Sequence, residues 1–204
     1  MIGIIDYGMG NLYSLSKALE RLGYEYEFVS RPERLQEYAG LILPGVGAFG
    51  DAIDNIRELD LEAAIHEYAG AGRPILGICL GMQLLFEKSE EHGEHRGLAL
   101  LQGEVVRFRG AYKVPHMGWN QLQLQKGHPL LDGVEEGEYA YFVHSYHVRV
   151  QNQDDLLATT DYHQQVTAIV GQGSVYGMQF HPEKSGETGM RLLRNFAAQC
   201  EEGH

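Results

Sequence analysis

Through the first half of the chain, short apolar blocks alternate with longer amphipathic runs. The segment "IGIID" (Ile2 to Asp6) is a continuous apolar block, the pattern of a strand covered on both faces. "NLYSLSKALERLG" (Asn11 to Gly23) carries apolar residues at helical spacing and ends on a glycine placed to cap a helix. "EYEFVS" and "GLIL" read as further strands; two helical stretches between Phe49 and Ala71, the strand "PILGI" and a helix over Met82 to Lys88 come next. This alternation predicts an α/β fold with a mostly parallel central sheet flanked by helices.

The second half has a different rhythm. "GEVVRF", "WNQLQLQ", "YAYFVHSYHV", "LLATT", "VTAIV" and "SVYGMQF" give strand after strand, with period-two alternation sharpest from Leu122 to Gln125. Added antiparallel strands are the expectation there, closed by a last helix over Gly189 to Gln199. No repeat, low-complexity tract or long linker interrupts the 204 residues, and 44% hydrophobic content suits one sizeable core, so residues 1–204 are expected to form a single domain.

Composition narrows the range of partners. The net charge is −12 and no Lys/Arg cluster breaks it, which argues against nucleic acid as a partner. No apolar run approaches the ~20 residues that span a bilayer, and "MIGIIDYG" lacks the basic start and cleavage site of a secretion signal, so a soluble cytoplasmic protein without membrane contact is expected. In that reducing setting Cys79 and Cys200 must each be judged alone.

Cys79 stands out by its setting. Gly77-Ile78-Cys79-Leu80-Gly81 has the form G-x-C-x-G between a strand and a helix, the thiol counterpart of the nucleophile elbow. A tight turn there presents the sulfur at the carboxyl end of a strand, beside helix N–H groups that favour thiolate. The bland alternative is a buried core cysteine. A base and its orienter are available in "FHPEKS": His181 follows a strand, and Glu183 stands two residues on, where its carboxylate can fix the imidazole tautomer. The loop "LPGVGAFG" supplies a third part, since the glycines around Val46 let backbone N–H groups turn toward an oxyanion.

Other motifs lead nowhere by comparison. Gly8-Met9-Gly10 lacks the third glycine of a dinucleotide loop, Tyr13 standing in its place. His92-x-x-His95 falls in an expected solvated loop, and His144-x-x-His147 in an expected strand whose spacing of three sends the rings to opposite faces, so no metal is expected. Cys200 is expected to be packing.

With "PGVGAFG", "GICLGMQLLFE" and "FHPEKS" in that order, the chain resembles the class I glutamine amidotransferases. The resemblance implies a catalytic triad of Cys79, His181 and Glu183, and an oxyanion site from Val46, Gly47 and the N–H of Leu80. It also implies glutamine contacts at Gln83, at Glu91 and at the backbone of Ser145 and Tyr146. "DYGMGN", "PHMGWN" and "YFVHSY" look like the glutaminase subunits of imidazole glycerol phosphate synthases in histidine biosynthesis. That likeness implies no cofactor and a heterodimer with a (β/α)8-barrel cyclase subunit that receives the ammonia. Trp119 and Asn120 in "PHMGWN" are candidates for the partner interface, with ordinary core as the other reading of Trp119. A stand-alone thiol hydrolase of γ-glutamyl substrates is the alternative function.

Overall fold

A computed structural model describes residues 1–202. It begins with β1 (Ile2–Ile5), α1 (Leu12–Arg21), β2 (Tyr26–Val29), β3 (Gly40–Leu43), α2 (Phe49–Glu58), α3 (Leu61–Gly70), β4 (Ile75–Ile78) and α4 (Leu80–Leu84). It continues through β5 (Lys88–Ser89), β6 (His95–Arg96), β7 (Gly103–Arg107), β8 (His116–Gln121), β9 (Gln123–Leu124), β10 (Tyr139–His144) and β11 (Tyr146–Val150). β12 (Leu156–Asp161), β13 (Gln165–Gln172), β14 (Val175–Met178) and α5 (Gly186–Glu202) complete it.

The central sheet has eight strands in the order β2-β1-β3-β4-β14-β13-β12-β9. The pairings from β2 through β14 are parallel, and those of β13, β12 and β9 are antiparallel. The expected mixed sheet is therefore present. Two smaller sheets, β10-β8 and β11-β7-β5-β6, take up the remaining strands of the second half.

Alternating side chains divide the core between the two faces of the central sheet. Ile2, Ile4, Ile42, Leu76 and Ile78 pack with Leu15 and Leu19 of α1 and with Leu192, Leu193 and Phe196 of α5. Ile5, Leu41, Leu43 and Ile75 pack with Phe49, Ile53 and Ile56 of α2 and with Leu61, Ile65 and Tyr68 of α3. Phe196 is wholly buried; truncation to alanine would cost about 3–5 kcal/mol.

Two helix boundaries differ from the sequence reading. The last helix is longer at both ends, Gly186–Glu202 instead of Gly189 to Gln199. The helix expected over Met82 to Lys88 begins earlier and stops at Leu84. The cause is tertiary: Leu98, Leu100, Ala99 and Gly97 donate their N–H groups to the carbonyls of Leu84, Leu85, Phe86 and Glu87, the acceptors a continuing helix would need. The chain then runs into β5, which pairs with β6 and β7 and carries Glu91 toward the central sheet.

Candidate active site

The carboxyl ends of β3, β4 and β14 meet at one rim, and a cavity of about 390 Å³ opens there. Cys79 follows β4 directly and has φ 56° and ψ −114°, a conformation strained for a residue with a side chain. The strain lies on the cysteine, while the two glycines serve close approach. A Cβ at Gly77 would come within 2.6 Å of the Gly81 carbonyl oxygen, and one at Gly81 would run into the Leu43 carbonyl of β3. Only glycine at these positions lets the elbow sit against the sheet. Cys79 N–H donates to Met178 O at 2.8 Å, which ties the elbow to β14.

His181 sits just past β14, which ends at Met178, two residues short of the strand read from the sequence. Its Nδ1 lies 2.9 Å from Glu183 Oε1, both side chains buried. Nδ1 donates to the carboxylate, so Nε2 is the nitrogen left for the sulfur. Burial alone would lower the His181 pKa; hydrogen bonding to Cys79 and Glu183 and their negative charge outweigh it and raise it to about 10. The imidazole is therefore held protonated at neutral pH. Glu183 Oε2 is buried without a partner. Ser185 fastens this segment to β10: its hydroxyl donates to His181 O at 2.7 Å and accepts from Tyr141 N–H at 2.9 Å.

The other expected residues gather in the same cavity. Val46, Gly47, Leu80, Gln83, Glu91, Ser145 and Tyr146 line it together with Cys79 and His181. Glu91, whose charged surroundings resemble a solvated loop in the sequence, is buried, and its Oε1 accepts the N–H of Phe49 at the start of α2 at 2.7 Å. Gln83 Nε2 donates to Tyr146 O at 3.2 Å and to Gln179 Oε1 at 3.1 Å. The Leu80 N–H donates to Gly45 O at 3.3 Å, so this expected oxyanion donor already has an acceptor. Tyr7 supports that loop from below, its hydroxyl donating to Pro44 O at 2.7 Å.

Several residues that shape the site went unread in the sequence. Gln179 is wholly buried and places Nε2 4.0 Å from Cys79 Sγ, yet nothing marks it within an ordinary strand segment. His144 and His147 do not lie on opposite faces of one strand. Ser145 separates β10 from β11, in different sheets, and both rings pack on Phe108 at 5.3 and 4.6 Å. Among the described residues no group of three or more His, Cys, Asp or Glu could hold a metal. Cys200 is buried against Gly40 and Phe196, with burial pushing its thiol up to about 12.

Trp119 and Asn120 stand away from the cavity on β8. Trp119 is 56% exposed, with its ring 5.9 Å from Tyr141 of β10, so it is not a core residue. Met117 and Tyr139 are exposed on the same two-stranded sheet, and Val143, opposite Met117, also lines the cavity. Among the described residues no helix is long and apolar enough to cross a membrane.

Known proteins share this sequence pattern and fold. The family model described as glutamine amidotransferase class-I matches residues 3–200. The imidazole glycerol phosphate synthase subunit HisH of Halalkalibacterium halodurans is 57% identical over 210 residues, covering 100% of this chain and 98% of that protein. The HisH subunit of Bacillus subtilis is 53% identical, covering 99% and 98%. Among solved structures, a crystal structure of a glutamine amidotransferase superposes with a TM-score of 0.78 at 24% identity, covering 98% of each chain. The structure of PurLQS from Thermotoga maritima gives 0.78 at 22% identity, covering 97% of each. The chain belongs to the class I glutamine amidotransferases, among those similar to the HisH subunits of imidazole glycerol phosphate synthase.

Proposed function

We propose that this chain hydrolyses glutamine to glutamate and ammonia and passes the ammonia to a (β/α)8-barrel cyclase subunit, which uses it to make imidazole glycerol phosphate and aminoimidazole carboxamide ribotide. The observation that carries this reading is Cys79 on its strained turn, facing the same cavity as a His181 already paired to Glu183. Full-length similarity to HisH subunits supports the choice of substrate and partner.

The chemistry follows from the charges. The Cys79 thiolate attacks the side-chain amide carbon, forming a C–S bond and moving the carbonyl electrons onto oxygen. Backbone N–H groups of the Val46–Gly47 loop and of Leu80 stabilise that oxyanion. Protonated His181 gives its proton to the departing nitrogen, the C–N bond breaks, and ammonia leaves a thioester. His181 then takes a proton from water as the water attacks, the C–S bond breaks, and glutamate departs with the thiolate and the protonated imidazole restored. Glu183 keeps the imidazole oriented and stabilises its positive form. Gln83, Glu91 and the backbone of Ser145 and Tyr146 hold the polar end of the substrate. No metal or organic cofactor enters any step.

Residues 1–204 act as one amidotransferase domain in the cytoplasm. The partner seats on strand β8 at Trp119 and Asn120, on the β8/β10 face that carries Trp119 and adjoins the cavity through Val143, with Asn120 on the opposite side of the strand. Ammonia then crosses into the partner without meeting bulk water. Glutamate release measured with and without purified cyclase subunit tests the reading. Strong stimulation by the cyclase and its ligand is expected. Rapid partner-independent hydrolysis of γ-glutamyl compounds would favour the stand-alone thiol hydrolase instead.

A further inference from the structure

Three side chains outside the triad form one continuous line of hydrogen bonds. Asn120 Nδ2 lies 3.1 Å from His116 Nε2, His116 Nδ1 lies 2.9 Å from His144 Nε2, and His144 Nδ1 lies 2.8 Å from Tyr146 O. The line runs from β8 to the wall of the cavity.

Its direction is fixed from both ends. Asn120 Oδ1 accepts the Gln121 N–H at 2.8 Å and Nδ2 donates to Asp161 O at 2.8 Å, so the amide meets His116 with an N–H. At the other end a carbonyl can only accept, so His144 Nδ1 carries a proton. Burial keeps both rings neutral, lowering His116 to about 4 and His144 to about 3, which leaves one N–H on each. Both protons therefore sit on Nδ1 and both Nε2 atoms accept. Every donor along the line has an acceptor.

Beyond the line lies the glutamine pocket. Tyr146 O also accepts from Gln83 Nε2, whose second hydrogen goes to Gln179 Oε1. Both amide hydrogens of Gln83 are committed, which leaves Oε1 for a ligand. The same Gln179 reaches Cys79 Sγ.

We propose that Asn120, His116 and His144 are positioning residues of the glutaminase site: a one-directional relay that fixes the Tyr146 carbonyl, and through it the Gln83 amide, joining the docking strand β8 to the substrate pocket. The inference rests on the glutaminase reading above. The relay touches no reacting atom. It acts because turning the Tyr146 peptide would strand two buried N–H donors at once. Asn120 follows Trp119 on β8 and faces the opposite side of the strand, with His116, so a partner seated on the Trp119 side bears on the relay through the backbone of β8. Simple packing would need only the shapes of the rings, of which His116 stacks on Phe142 and Tyr162 and His144 lies tilted against Phe142. Packing is indifferent to which nitrogen holds the proton.

The complex with the cyclase subunit provides the test, at saturating partner and cyclase ligand. In the unchanged protein at neutral pH, 15N-resolved imidazole spectra should show protonated Nδ1 and bare Nε2 in both His116 and His144. Asn120→Asp replaces the donor with an acceptor and forces the protons to reverse until two acceptors meet at Tyr146. The glutamine KM should rise about tenfold or more while kcat changes by less than about threefold. His144→Phe, which keeps an aromatic ring in place, should raise KM in the same way. A proton on Nε2 of either ring in the unchanged protein overturns the relay, as does an unaltered KM in both variants or a loss confined to kcat. If the unchanged complex releases no glutamate, the glutaminase reading fails instead, and the ring protonation still decides the relay.

Discussion

The backbone N–H of Leu80 donates to the carbonyl oxygen of Gly45 at 3.3 Å. The Gly45–Val46 peptide thus turns its oxygen toward the elbow, where the reaction needs a donor. Turning this peptide over would free Leu80 and present the Val46 N–H, and glycines on both sides of Val46 make that turn accessible. A missing oxyanion donor typically costs about 2.7–4 kcal/mol, enough to suppress idle hydrolysis by two to three orders of magnitude. The cyclase carrying its ligand should therefore stimulate glutaminase turnover by that factor. A structure of the fully liganded complex in which Leu80 still bonds Gly45 O would refute the flip.

Cys79→Ala should abolish glutamine hydrolysis, yet the assembled complex should still make product from added ammonium. In the proposed mechanism the sulfur takes part only in releasing ammonia, and the later chemistry belongs to the partner. Product formation from glutamine by the variant would remove Cys79 from the mechanism.

The 2.9 Å contact between His181 Nδ1 and Glu183 Oε1 ranks the two residues. In the proposed mechanism His181 moves protons, whereas Glu183 orients and stabilises it, so His181→Ala should cost more turnover than Glu183→Gln. Each should lower glutaminase kcat by at least about tenfold, roughly 1.4 kcal/mol of barrier. Two variants that both retain parental kcat would dissolve the triad.

Buried histidines set the acid limit of stability. Burial lowers His116, His144 and His147 from 6.5 to about 4, about 3 and about 4, with Arg149 adding to the shift at His147 and Glu90 opposing it. Unfolded rings take up protons near 6.5 while the folded ones stay neutral, so their contribution is fully present above 6.5 and drains as pH falls toward 4. His181 behaves oppositely: raised to about 10, its contribution is present below 6.5 and lost as pH climbs to 10. His147→Phe keeps the ring stacked on Phe108 and removes one such proton. Urea unfolding between pH 6.5 and 4.5 should then show an acid slope shallower by up to about 1.4 kcal/mol per pH unit. Equal slopes in parent and variant would exclude burial of His147 as a cause.

The parts legible in the sequence are those whose pattern is local. The strand-helix alternation gave the parallel strands, and G-x-C-x-G with "FHPEKS" brought Cys79, His181 and Glu183 to one rim, because residues following parallel strands converge at their carboxyl ends. The features that stayed hidden are made by contacts between distant segments. Residues 97–101 claim the carbonyls that would have extended α4, and a helix pattern cannot register that competition. Gln179 looks like any strand residue until Gln83 comes to meet it, and the spacing of His144 and His147 misleads because the chain changes sheets at Ser145.

Trp119 is the residue on which the proposed docking face can be tested. The sequence allowed either core or interface; at 56% exposure, with Met117 equally exposed beside it, the ring has little of its own subunit to lose. It is braced edge-on by Tyr141 at 5.9 Å, which holds it in place before any partner arrives and lowers the entropy cost of binding. Aromatic rings so placed are typical interface anchors, and truncating one commonly costs about 2 kcal/mol or more of binding. Trp119→Ala should accordingly leave the thermal midpoint of the isolated chain nearly unchanged while weakening association with the cyclase, or its stimulation of glutamate release, about thirtyfold. Calorimetry on the free chain and titration with the cyclase separate the two effects. A lowered midpoint with unaltered association would assign the ring to folding and move the docking face elsewhere.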